Sequence, residues 1–136
     1  MTTQNWKKLF VVFGLGITAV TPFLPASAKE APKAERFRVV GTEPFWGIDI
    51  NQKGIVYTSV KDNINKQTFR YVPPQPAQGR TLEAVRVYRF GANPNHILIL
   101  HKDNGYCSDG MSDNKYPYTA TLISGNTVKT GCAQNQ

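Results

Sequence analysis

From Arg36 onward the chain is a succession of short segments rich in β-branched and aromatic residues, each ended by turn formers, and no stretch carries the apolar period of a long amphipathic helix. That punctuation restricts the fold to all-β: a small antiparallel barrel or sandwich of about eight strands. Strands are expected at 36–40, 45–50, 55–60, 67–72, 84–90, 96–101, 116–123 and 127–131. The links at 51–54, 62–63, 93–95, 103–105 and 124–126 supply Gly or Asn where the backbone needs unusual dihedrals. Links this short make sequential strands antiparallel neighbours. The longest break, 73–80, holds Pro73, Pro74 and Pro76, which remove backbone donors, so it reads as an exposed extended loop outside any sheet interior. A proline-rich ligand for an aromatic groove is the rival use of such a run, and a stiff connection between strands is the simpler one.

Alternation assigns faces. Phe45 and Trp46 must point to opposite sides of their strand, and Trp46 shares its side with Ile48 and Ile50, which assigns it to the core. Phe45, with Gly47 and Asp49, is left on the wetter face as the contact residue. The segment 85–90 is mixed on both faces, whereas Ile97-Leu98-Ile99-Leu100 is apolar on both, the pattern of a central strand covered from two sides.

The first 28 residues have the layout of a secretory signal: Lys7 and Lys8, an apolar run from Leu9 to Val20, and a small-residue exit at Ala26-Ser27-Ala28. Thr21-Pro22 breaks the run before the roughly 20 apolar residues that a membrane span needs. Cleavage is expected after Ala28, with no lipidation cysteine near the cut and no membrane anchor on the product, which is then periplasmic or secreted. Residues 29–35 read as a flexible leader, and 36–133 as a single β domain. Cleavage removes two lysines from the formal charge of +7, leaving +5. Cys107 and Cys132 survive it, and an even pair in an exported chain is a disulfide, closing a loop for which the chain-entropy model gives roughly 3.5 kcal/mol.

Few residues are placed for chemistry. His96 and His101 are five apart in one expected strand and so fall on opposite faces, which denies them a shared ligand sphere. Glu43, Asp49, Asp109 and Asp113 are the acid and base candidates. The run 107–114 sets Ser108, Asp109, Ser112, Asp113 and Asn114 around Gly110, next to a cysteine. Those oxygens suit either a hard cation or the self-capping of a tight turn; the spacing departs from the helix-loop-helix calcium loop, so the turn is the reading adopted. No metal or other cofactor is expected. The basic residues are spread along the chain, so no nucleic-acid partner is expected, and an envelope protein or an anionic envelope polymer is the expected class.

The run Gly-Thr-Glu-Pro-Phe-Trp at 41–46, Cys-Ser-Asp-Gly-Met-Ser-Asp at 107–113, Tyr116-Pro117 and the closing Gly131-Cys132-Ala133 resemble, in the same order, a family of small uncharacterised exported bacterial proteins. The resemblance brackets about 41 to 133. It implies an envelope location and a β-barrel-like fold, in a family whose members are sometimes joined to META-type or lysozyme-inhibitor-like domains. It supplies no catalytic residues.

The expected function is therefore a non-catalytic binding module, monomeric, that presents Glu43, Phe45 and Trp46 together with Asp109, Met111 and Asp113 from the disulfide-tied loop. Inhibition of a cell-wall hydrolase is one concrete form of it. The alternatives are a small envelope enzyme using Glu43 with Asp109 or Asp113, and a small-ligand-carrying β-barrel with an apolar cavity.

Overall fold

The computed structural model describes residues 35–60, 64–93 and 95–136. The export signal at 1–28, the cut after Ala28 and all of the leader except Glu35 lie outside the described residues. Nine strands follow one another: β1 (Phe37–Thr42), β2 (Phe45–Asn51), β3 (Gly54–Val60), β4 (Ile64–Phe69), β5 (Gln75–Pro76), β6 (Val85–Phe90), β7 (His96–Cys107), β8 (Tyr116–Ser124) and β9 (Thr127–Asn135). All are antiparallel in one sheet of order β4-β3-β2-β1-β9-β8-β7-β6-β5.

This order dictates the shape. Two meanders, β1 to β4 and β5 to β9, are joined where β1 pairs with β9, so β4 and β5 lie at opposite edges although they are sequential in the chain. The link 70–74 between them spans at most about 20 Å. A flat nine-stranded sheet would be roughly 38 Å wide at about 4.8 Å per step. The sheet therefore curls into a half-barrel. At the closing side Phe69 of β4 meets Phe90 of β6 and His96 of β7, with ring centroids 5.1 and 5.2 Å apart.

One continuous sheet has one enclosed face, and the inward positions of each strand fill it. Phe37 and Val39 of β1, Trp46, Ile48 and Ile50 of β2, and Leu98 and Leu100 of β7 are buried there with Tyr88, Tyr118 and Leu122. Trp46 is 4 % exposed, with its indole laid over Gly41, its register partner; a side chain at 41 would occupy the indole's place. A Cβ at Gly131 would collide with the Val40 carbonyl, so glycine lets β9 approach β1 closely.

Arg86 is the charged exception among these inward residues. Its guanidinium is buried against the rings of Phe37 and Tyr118, 5.0 and 5.4 Å from their centroids, and pairs with Glu35 through Nε and Nη2 at 2.7 and 3.0 Å. Glu35, the last residue of the expected leader, is thus tied to the barrel interior.

Several expectations need correction. Ile97 and Ile99 are only half-buried, on the outer face of the half-barrel, because no second layer covers that face among the described residues. The strand expected at 67–72 lies at Ile64–Phe69, where its register with β3 carries it. Residues 103–105 form no turn. They belong to β7, which runs on to Cys107 through a register shift between Lys102 and Cys107 opposite β8. The proline loop stays exposed but contributes Gln75–Pro76 as a short strand at the sheet edge, where a missing donor is tolerated. β9 continues past 131 to Asn135, and Gln136 N–H donates to Arg36 O at 2.9 Å.

Candidate functional site

The Cys107–Cys132 disulfide is formed, with Cα atoms 5.6 Å apart. It crosses the outer face of β8, since Cys107 ends β7 and Cys132 lies in β9 opposite Thr119. The β7–β8 connection is thereby held over the outside of the sheet, and a recess of about 230 Å³ lies between Ser108 and Asp109 on one side and Val40, Thr42 and Thr130 on the other. A disulfide belongs to an oxidising, extracytoplasmic setting. Among the described residues no helix is long and apolar enough to cross a membrane.

Asp109 organises the loop. Its Oδ1 accepts from Met111 N–H at 3.0 Å and Ser112 N–H at 2.9 Å; its Oδ2 accepts from Ser112 Oγ at 2.9 Å and the Tyr116 hydroxyl at 3.0 Å. Ser108 and Ser112 cap the amides of Gly110 and Asn114 in the same way. Gly110 takes a positive φ of 70° that the tight turn requires. The oxygens of Ser108, Asp109 and Ser112 are committed to the turn itself, and among the described residues no group of three His, Cys, Asp or Glu side chains is placed to hold a metal.

The backbone donors of Met111 and then Ser112 lower the Asp109 pKa to about 2. A carboxyl depressed in the folded state stabilises it above its unfolded value of ~3.9, and that contribution disappears as the pH falls through about 2. In an NMR titration the Met111 and Ser112 amides are expected to shift together with a midpoint near 2; a midpoint close to 4 would show that the loop does not hold the carboxylate.

Beside this loop lies a cleft of about 390 Å³ on the outer face of β1, β2 and β3. Phe45, Val60 and Met111 give it an apolar lining, while Arg38, Asp49 and Asp109 supply charge. Phe45 is 51 %, Val60 41 % and Met111 66 % exposed, which is unusual for large apolar groups drawn from three separate elements. Arg38 and Asp49 stand 4.0 Å apart, both about half exposed, so their pairing is weak and each remains available to a partner.

Of the six residues expected at the contact face, Phe45, Trp46, Asp109 and Met111 line this cleft. Trp46 does so while buried in the core, as its alternation with Ile48 and Ile50 required. Glu43, in the turn after β1 whose Glu43–Pro44 peptide is cis, and Asp113 are exposed and outside the lining. Val60, Thr58 and Thr42 were missed by sequence reasoning. Their signal was the period of two: once β1, β2 and β3 are placed side by side, their outward positions fall beneath Phe45.

The histidines separate as expected. His96 is buried, its Nδ1 2.9 Å from Ser124 Oγ and its ring packed against Phe69, Phe90 and Tyr57, while His101 is exposed. Burial, with Lys129 adding to it, pushes the His96 pKa below its ordinary value. No known family model, curated protein or solved structure matches the chain.

Proposed function

We propose that this protein is a non-catalytic binding module of the cell envelope, exported to the periplasm or beyond, whose contact face is the cleft lined by Phe45, Val60 and Met111. The observation that carries the reading is the convergence of three exposed apolar side chains, two from the sheet and one from a loop held by a disulfide. Such a rimmed apolar patch on a rigid frame is what recognition of a protein surface uses. The resemblance of the 41–46 and 107–113 segments to exported envelope proteins supports the same location.

The enzyme reading has less support. Asp109 is held ionised by its own loop and is a poor proton donor, and Glu43 and Asp113 lie outside the cleft. A carrier of small apolar ligands needs interior space, and the enclosed face carries a cluster of buried aromatic and aliphatic side chains. Inhibition of a basic lysozyme fits poorly with the positive charge of this chain, whereas an acidic protein surface or an anionic envelope polymer fits well.

Recovery of partners from an envelope extract separates these readings. Phe45→Ser with Met111→Ser is expected to retain the fold and to lower recovery at least tenfold, while Val128→Ser, an equally exposed apolar change on β9 outside the cleft lining, leaves it intact. Equal recovery with the unaltered protein, the double variant and Val128→Ser would rule out the cleft as the contact face.

A further inference from the structure

The cleft's apolar line does not stop at β3. Val60 faces Ile64 across the β3–β4 ladder, and Ile64 is 76 % exposed, the highest value among the exposed large apolar residues described. β4 is an end strand of the sheet, and Ile64 to Thr68 are all exposed. Among the described residues its backbone pairs only with β3, so one side of the strand presents a row of unpaired N–H and C=O groups. The strand at the opposite edge, β5, offers no row of comparable length, because it is two residues long and one of them is proline.

We propose that the free edge of β4 receives an extended segment of a partner protein as an added strand, with an apolar side chain opposite Ile64 and an acidic one opposite Lys66. This names the kind of partner for the cleft face and rests on that reading. Unpaired strand groups are satisfied by another strand, and main-chain bonds then supply affinity while alternate side chains supply selectivity. Lys66 points to the same outer face as Ile64, two residues on, and makes no ion pair among the described residues. An acidic residue directly opposite it completes a cross-strand charge pair. The same lysine disfavours a second copy of this chain, since edge-to-edge pairing of two β4 strands brings two like charges together.

The probe is a nine-residue peptide with threonine at every second position and valine and glutamate alternating at the others; a second peptide carries lysine for glutamate, and a third has a central proline. With the isotopically labelled protein, the glutamate peptide is expected to bind at least tenfold more tightly than the lysine peptide, and the proline peptide not at all. Slowed hydrogen exchange should appear at alternate amides of 64–69. Lys66→Glu should reverse the preference between the two charged peptides, with the chemical shifts of the core unchanged. Equal affinity for both, no binding at millimolar peptide, protection centred elsewhere, or β4 protection that grows with protein concentration alone would each overturn the proposal. Loss of envelope partners with Phe45→Ser and Met111→Ser but not with Lys66→Glu would overturn the edge while leaving the cleft in place.

Discussion

Replacing Cys107 and Cys132 together by serine is expected to lower the free energy of unfolding by about 3.5 kcal/mol, the chain-entropy value for the 25-residue separation the bond closes. For a domain of this size that corresponds to a fall in Tm of roughly 15 to 25 °C. The effect has a local component. The bond is the tether that keeps the 108–115 connection over the outer face, so the Asp109 and Met111 wall of the cleft should loosen at temperatures where the barrel is still folded. Thermal unfolding followed by far-UV circular dichroism, together with exchange at the Met111 and Ser112 amides, reads both consequences. A change below about 1 kcal/mol would show that the sheet alone holds the loop.

The second large effect lies at Glu35. Burial works against the charge on Arg86, but the hydrogen bonds and charge of Glu35 outweigh it and leave the guanidinium more firmly protonated than usual. Glu35→Gln strands that cation among Phe37, Tyr118 and the Glu83 carbonyl, and is expected to cost about 3 kcal/mol. Arg86→Met in the same chain should restore most of the loss, because an apolar side chain of similar length suits the site once no charge needs a partner. Urea denaturation of the two single variants and the double variant tests this: additive losses would mean that the pair is not coupled.

The fold was legible where alternation and turn chemistry agree. Trp46, Ile48 and Ile50 turn inward together, Phe45 turns out, and Gly125 takes the positive φ its turn requires. What local pattern could not give is what the sheet does as a whole. Ile97 and Ile99 look like a second buried face because apolarity reports burial without saying whether another layer exists. The mixed face of 85–90 hides a buried Arg86 because the residue that neutralises it, Glu35, lies 51 positions away. β7 runs on through Asp103-Asn104-Gly105 because the cross-link at Cys107 and pairing with Tyr116 draw that segment alongside β8, outweighing its turn propensity.

The candidate site shows the same division. Phe45, Asp109 and Met111 are recognisable from the oddness of their segments, and the cysteine pair supplies the tether. The partnership between them follows from β1 lying between β9 and β2, which sets the disulfide-bearing strand close to the Phe45 hairpin. No spacing in the chain announces that adjacency.

The contact face itself is best tested by placing a photo-reactive phenylalanine analogue at position 45, 111 or 128 and irradiating cells that produce the protein. Adducts of matching mass at 45 and 111, and none at 128, are the expected outcome. Adducts at 128 with none at 45 or 111 would contradict the assignment.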